Sequence, residues 1–133
     1  MVIDASALTA ILLREPEAGS FVAVLESAVD GILISPVSVF ETVTAVARVR
    51  KIPVSDARVS VSDFLQEAGI QISPVTAEIG EAAITAFDRF GKGRHPAALN
   101  MGDCFSYALA KVSRQPLLFK GGDFGLTDLA IAV

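Results

Sequence analysis

A chain of 133 residues has the length of one domain, and its 52% hydrophobic content excludes a disordered protein. Its single cysteine excludes an internal disulfide, and no uncharged run approaches the roughly 18 residues of a membrane-spanning helix. Because no secretory signal pattern is present, we expect one cytoplasmic domain, residues 1–133, that binds no membrane. The net charge of −4 disfavours a nucleic-acid partner at first sight, but it does not describe any single groove.

Short apolar segments alternate with helical patterns along the chain. We predict strands at residues 1–4, 31–35, 70–75 and 116–120. Apolar residues recur every three or four positions in the predicted helices, at residues 5–15, 17–30, 36–51, 55–68, 77–93 and 99–112. Pro16 is expected in the first turn of the second helix, and Ser55 is expected to cap the fourth. Without hairpin signals, this order predicts an α/β domain with a parallel sheet covered by helices on both faces.

The start of the third helix determines the role of Glu41. Ser38 lies three residues earlier and would form a capping box with it. In the competing start, Ser35 is the N-cap and Pro36 the first helical residue, positions where both residue types are favoured. We favour the second start, which leaves Glu41 in the second turn without a capping role.

Several common catalytic arrangements are missing. His95 is the only histidine, which disfavours a zinc cluster and a Ser-His-Asp triad. Cys104 has no histidine nearby and is expected to be a buried thiol. The "GKG" at residues 91–93 lacks the remaining residues of a phosphate-binding Walker loop. The carboxylates are therefore the main candidates for chemistry.

Four acids lie where an apolar strand or helix gives way to the next element: Asp4, Glu41, Asp103 and Asp123. Each has a structural alternative, because Asp4 and Asp103 would suit helix starts and Asp123 would suit a glycine-rich turn. Together, however, they would converge at one edge of a parallel sheet, where ligands commonly bind. Two carboxylates about 4 Å apart repel by roughly 4 kcal/mol at an effective dielectric constant of 20. Convergence would therefore require protonation or a hard divalent cation such as Mg²⁺ or Mn²⁺, which suits phosphodiester hydrolysis.

The segments "VIDASAL", "GKGRHPAALNMGDCFSYALAK" and "LLFKGGDFGLTD", with Glu41 between them, resemble a PIN-domain ribonuclease. The closer resemblance is to the toxin of VapBC-type (type II) toxin–antitoxin modules, and it covers nearly the whole chain. It implies a three-layer sandwich with a short central parallel sheet, and RNA cleavage that depends on Mg²⁺ or Mn²⁺. It also implies a cognate antitoxin as partner, and a homodimer or toxin–antitoxin hetero-oligomer.

The resemblance also assigns roles to individual residues. It makes Asp4 and Asp103 the principal metal ligands, with Glu41 and Asp123 completing a catalytic acidic pocket. Ser6 and Asn100 would be accessory polar groups, with helix capping as their alternative role. Gly122 departs from the asparagine that relatives often have before the last acid, which puts the position of Asp123 in doubt. Asp128 is a reserve candidate and otherwise a surface residue.

Two basic clusters could offset the repulsion between RNA and acidic residues. The first contains Lys92 and Arg94, in the loop that leads to Asp103, and the resemblance makes these the best candidates. The second contains Arg48 and Lys51, for which a solvated helix end is an equally good interpretation.

Two other functions compete with the ribonuclease. A non-catalytic PIN-like module would bind RNA or antitoxin without cutting, but it would have no reason to tolerate four repelling acids. A phosphatase of the haloacid dehalogenase type also begins with a strand that ends in Asp. That class needs a second Asp two residues later, where this chain has Ser6.

Overall fold

A computed structural model describes residues 1–133. Its four strands form one fully parallel sheet in the order β3-β2-β1-β4, with β1 at Val2–Ile3, β2 at Ile32–Ile34, β3 at Ile70–Ile72 and β4 at Leu117–Leu118. The six helices are α1 Ala5–Leu12, α2 Ala18–Glu26, α3 Pro36–Arg50, α4 Val54–Glu67, α5 Ala77–Phe90 and α6 Met101–Ser113. None of the helices is both long and apolar enough to cross a membrane. The order of elements agrees with the prediction from sequence.

The sheet separates two hydrophobic clusters, as the predicted three-layer sandwich requires. Ile3 and Leu118 pack into a cluster with α1, α3 and α4, whereas their neighbours Val2 and Leu117 pack into the cluster with α5 and α6. Because successive side chains of a strand point to opposite faces, even these two-residue strands contribute to both layers. This burial on both faces explains why the strands contain almost only apolar residues.

Helix starts agree with the prediction at α3 and differ at α2 and α4. Ser35 caps α3, its hydroxyl oxygen accepting from the backbone N–H of Val37, and Pro36 is the first helical residue. The predicted cap at Ser55 is wrong, because α4 begins one residue earlier, after Pro53, without a side-chain cap. Pro16 lies in the turn before α2 rather than in its first turn.

The C-terminal tail adds to the open edge of the sheet. Leu117 donates its N–H to the Ala130 carbonyl, and Ala132 donates back to the Leu117 carbonyl. The resulting bridge pairs Leu117 with Ile131 in parallel. The tail therefore covers the outer side of β4, which would otherwise be an exposed strand edge.

Candidate active site

Asp4 stands at the carboxyl end of β1, the strand between β2 and β4. Its Oδ2 accepts hydrogen bonds from the backbone N–H (2.9 Å) and the hydroxyl (2.6 Å) of Ser6, so it is the N-cap of α1. The hydroxyl oxygen of Ser6 in turn accepts from the backbone N–H of Lys120, two residues after β4. Asp4 is only 3% exposed. Its capping role and its position in a site are therefore compatible, because one carboxylate serves both.

Glu41 reaches from the second turn of α3 to the first turn of α6. The contact is so close that an ideal Cβ on Gly102 would lie 2.2 Å from the Oε1 of Glu41. Only a residue without a side chain leaves this space to the carboxylate. Since Ser35 caps α3, Glu41 has no part in a capping box.

Asp103 occupies the third position of α6 and forms a capping box with Asn100. The Asn100 backbone N–H donates to the Asp103 Oδ2 (3.0 Å), and the Asp103 backbone N–H donates to the Asn100 Oδ1 (2.8 Å). This reciprocal pair fixes the start of α6. One oxygen of Asp103 is engaged in the cap, and the carboxylate still lines the cleft described next.

Asp4, Glu41 and Asp103 line one open cleft of about 650 Å³, together with Ser6 and Asn100. Burial, followed by repulsion from Asp4 and Asp103, raises the pKa of Glu41 to about 7. Burial also raises the pKa of Asp103 to about 6, with Asp4 and Asp123 adding to the rise and the backbone N–H of Asn100 opposing it. The cleft thus brings together carboxylates whose charged forms are disfavoured by burial and by mutual repulsion.

The donor chemistry of this cleft fits a hard divalent cation. All three acidic ligand candidates offer carboxylate oxygens, which Mg²⁺ and Mn²⁺ prefer, and such a cation would offset the repulsion that Glu41 meets from Asp4 and Asp103. No three acidic, histidine or cysteine side chains are arranged as a complete ligand set. Mg²⁺ commonly takes only one or two carboxylates and fills its other positions with water, so Asp4 and Asp103 would suffice to hold it.

Asp123 is not brought into the cleft. It is exposed on the turn after β4, next to the short 3₁₀ helix Phe124–Leu126, and its side chain makes no capping hydrogen bond. Gly121, two residues earlier, does line the cleft and has a φ of +100°. The charge of Asp123 reaches the site only as repulsion that helps raise the pKa of Asp103.

The basic residues near the acids are not the pair that sequence analysis favoured. Arg94 forms an ion pair with Asp88 (3.7 Å), and neither it nor Lys92 lines the cleft. The loop folds back onto the end of α5 through the hydrogen bond from Leu99 to the Phe90 carbonyl, so a role of this cluster in RNA binding stays a prediction without a place in the cleft. The cations that do line the cleft are Arg48, on α3, and Lys120.

Asp128, the reserve candidate, has a structural role elsewhere. It accepts hydrogen bonds from the Tyr107 hydroxyl (2.6 Å) and the Lys111 ammonium (2.9 Å). Burial, and then the hydrogen bond to Asp128, raises the pKa of Tyr107. These contacts tie the C-terminal segment to α6, away from the acidic cleft.

The sequence analysis did not identify three residues that lie behind the acids of the cleft and contact them directly or through one another: Gly102, Ser106 and Ser38. Ser106 lies one helical turn after Asp103, which places it on the same side of α6. Ser38 entered the prediction only as an alternative helix cap. For Ser106 and Ser38, the available signal was a small polar residue one helical turn away from a candidate acid, Asp103 or Glu41.

Comparison with known proteins places this chain in a family. The sequence model described as PIN domain matches residues 1–129. A ribonuclease VapC of Mycolicibacterium smegmatis is 47% identical, with 98% of each chain covered. Among solved structures, the fold is similar to Mycobacterium tuberculosis VapC20, a sarcin-ricin loop cleaving toxin, with a TM-score of 0.77, 20% identity and 97% and 95% coverage. It is also similar to a chain of a toxin-antitoxin complex from Klebsiella pneumoniae, with a TM-score of 0.66, 18% identity and 92% and 88% coverage.

Proposed function

Because the chain belongs to the PIN domain family, we propose that it is an endoribonuclease toxin of a type II toxin–antitoxin system. The reaction is the hydrolysis of RNA phosphodiester bonds, and the reaction site is the acidic cleft. The observation that carries this proposal is the convergence of Asp4, Glu41 and Asp103 on one open cavity. The name of the Mycolicibacterium smegmatis relative, a ribonuclease, supports the same reaction.

Asp4 and Asp103 would hold Mg²⁺ or Mn²⁺, and such a cation, when bound, supplies charge stabilisation to a phosphoryl oxygen and a more acidic water. Asp4 is the most firmly held ligand, since Ser6 donates to one of its oxygens twice. Glu41 lies across the cleft and would orient the attacking water by accepting a hydrogen bond from it. Asp123 would add negative charge at the rim, as its effect on Asp103 indicates.

Arg48 and Lys120 would bind the phosphates of the RNA on either side of the bond that is cut. Both side chains line the cleft with the acids. Lys120 is held by Glu15 and Glu17, so its ammonium is kept at the rim even without RNA. Cations at the rim offset the repulsion that a phosphate backbone meets at an acidic site.

The protein partner would be a cognate antitoxin, and the chain itself would form a homodimer or a hetero-oligomer with it. The toxin-antitoxin complex from Klebsiella pneumoniae shares the fold. A groove between α5 and α6 that is lined only by hydrophobic side chains, among them the exposed Ile84 and Met101, supports a protein partner. Light scattering of the purified chain tests self-association, and a monomer at every concentration would refute the homodimer.

The direct test is the cleavage of a mixed cellular RNA pool by the chain free of antitoxin, with Mg²⁺, with Mn²⁺ or with EDTA. We expect discrete cuts with either metal and none in EDTA. Asp4→Asn should abolish them, whereas Asp63→Asn, the same change at an exposed position of α4, should not. A folded chain that binds RNA but leaves it intact with both metals would instead support the non-catalytic binding module.

A further inference from the structure

The second oxygen of the Asp4 carboxylate, Oδ1, accepts a hydrogen bond from a side chain of α6. The hydroxyl of Ser106 donates a short hydrogen bond to Asp4 Oδ1, across 102 residues of sequence. Ser106 is completely buried. With Ser6 donating to Oδ2, both oxygens of the carboxylate are constrained, which fixes its rotation as well as its position.

Ser38, on α3, extends this contact by one step. Its hydroxyl lies 3.0 Å from that of Ser106, and it too is completely buried. A hydroxyl has a single proton to donate, and Ser106 donates its proton to Asp4. Ser38 must therefore be the donor to Ser106, so the hydrogen bonds run in one direction, from Ser38 to Ser106 to Asp4.

Three other hydroxyls in the helices of this chain form hydrogen bonds within their own helix. Those of Thr42, Thr44 and Ser113 donate to backbone carbonyls three or four residues earlier, the common arrangement for such residues. Ser106 and Ser38 instead direct their protons between elements, joining α3 and α6 to the end of β1. A buried hydroxyl pair of this kind contributes directed hydrogen bonds that a small apolar residue would not supply.

We propose that Ser38 and Ser106 are positioning residues that hold the Asp4 carboxylate in the orientation needed to bind the cation. This inference rests on the proposed function, since it concerns the same site. Neither serine lines the cleft, so neither touches RNA or cation, and both act through Asp4. Removing a group that hydrogen-bonds to a metal ligand and orients it typically lowers metal affinity or activity about 10- to 100-fold.

The test compares Ser106→Ala and Ser106→Cys with the wild type, by RNA cleavage kinetics and by calorimetric titration with Mn²⁺ in the absence of RNA. Cysteine fills the space of serine but is a weak donor, so it separates hydrogen bonding from packing. We expect both variants to bind Mn²⁺ about 10-fold more weakly or worse and to lose kcat with little change in KM. Ser113→Ala, the same change later in α6 where the hydroxyl serves its own helix, is the control and should match the wild type.

Ser38→Ala tests whether Ser38 acts on Asp4 through Ser106, in the relay of hydrogen bonds from Ser38 to Ser106 to Asp4. If Ser38 acts only through Ser106, Ser38→Ala should weaken Mn²⁺ binding less than Ser106→Ala does. The double variant should then be no worse than Ser106→Ala alone, since the two effects share one route. Additive losses would refute the relay.

Wild-type affinity in Ser106→Cys would refute a hydrogen-bonding role for Ser106. Additive losses in the double variant, or wild-type affinity in Ser106→Cys, would leave the proposed function intact as long as the wild type cleaves RNA. A wild-type chain that neither binds Mn²⁺ nor cleaves RNA would overturn both proposals.

Discussion

Replacing Gly102 with alanine adds one methyl group at the point where α6 meets the carboxylate of Glu41. The new Cβ would lie 2.2 Å from Oε1 and 2.5 Å from Oε2, whereas ordinary contact begins at 3.4 Å. The carboxylate must therefore retreat by about 1 Å to reach van der Waals contact. Because it is the far end of a flexible side chain, the backbone of α6 can stay in place.

The change should reduce activity without reducing stability. A displacement of about 1 Å in a catalytic group can lower the rate on the order of 100-fold. In contrast, glycine to alanine within a helix typically stabilises by about 0.5–1 kcal/mol. We therefore expect Gly102→Ala to unfold at the same or a higher temperature than the wild type while cleaving RNA about 100-fold more slowly.

The assay is the initial rate of cleavage of one defined RNA at saturating Mg²⁺, with thermal unfolding measured on the same samples. Gly80→Ala is the matched control, because Gly80 lies inside α5 and a Cβ there would meet nothing within 4 Å. It should leave the rate unchanged. Wild-type activity in Gly102→Ala would show that the carboxylate of Glu41 need not occupy this position, and would refute its proposed role.

Three further predictions concern the charges of the cleft. The pKa values of Glu41 (about 7) and Asp103 (about 6) lie above their ordinary values, so the folded chain keeps protons that the unfolded chain has released. In EDTA, the unfolding free energy should therefore fall as pH rises from about 4 to 7, on the order of 1–3 kcal/mol once solvent screening is allowed for. Glu41→Gln should weaken this dependence in chemical denaturation, and a rise over that range would contradict the account. Arg48→Ala should raise KM for RNA and reduce the slope of log affinity against log salt concentration by about one, whereas Arg94→Ala should change neither. Equal effects of the two variants in filter binding would refute the assignment of Arg48 to RNA binding. Asp123→Asn should slow cleavage less than Asp103→Asn does, and the reverse order in rate assays would return Asp123 to the centre of the site.

Much of the fold follows from local patterns in the sequence. The apolar strands and the helical periodicity predict the order of elements, and Ser35 with Pro36 correctly marks the start of α3. The fourth helix start could not be predicted in the same way. Its sequence offers Ser55 as a cap, yet α4 begins at Val54, directly after Pro53, without a side-chain cap hydrogen bond.

The acids at the ends of elements were predictable because strand ends of a parallel sheet meet at one edge. Asp4 and Asp103 meet there, with Glu41 facing them from α3. Asp123 was predicted with them, but the turn after β4 leaves it exposed. A glycine-rich turn contains little local information about where the next side chain points.

Side chains brought together by tertiary structure were the least predictable part of the site. Arg94 is close to Asp103 in sequence, but the loop between α5 and α6 turns it towards Asp88. Arg48 and Lys120 are 72 positions apart and meet only at the cleft. The contact between Ser106 and Asp4 spans 102 positions, and no periodicity in the sequence marks such a pair.

Metal-dependent RNA cleavage by the acidic cleft can be tested with the antitoxin-free chain stripped of metal with EDTA. The rate of RNA cleavage is measured before and after Mg²⁺ is returned, and Asp103→Asn is treated in the same way. If the acidic cleft hydrolyses RNA with a divalent cation, the wild type should be inactive when stripped and recover with Mg²⁺, while Asp103→Asn should stay inactive. Cleavage that continues in EDTA, or that Asp103→Asn recovers as fully as the wild type, would contradict the claim.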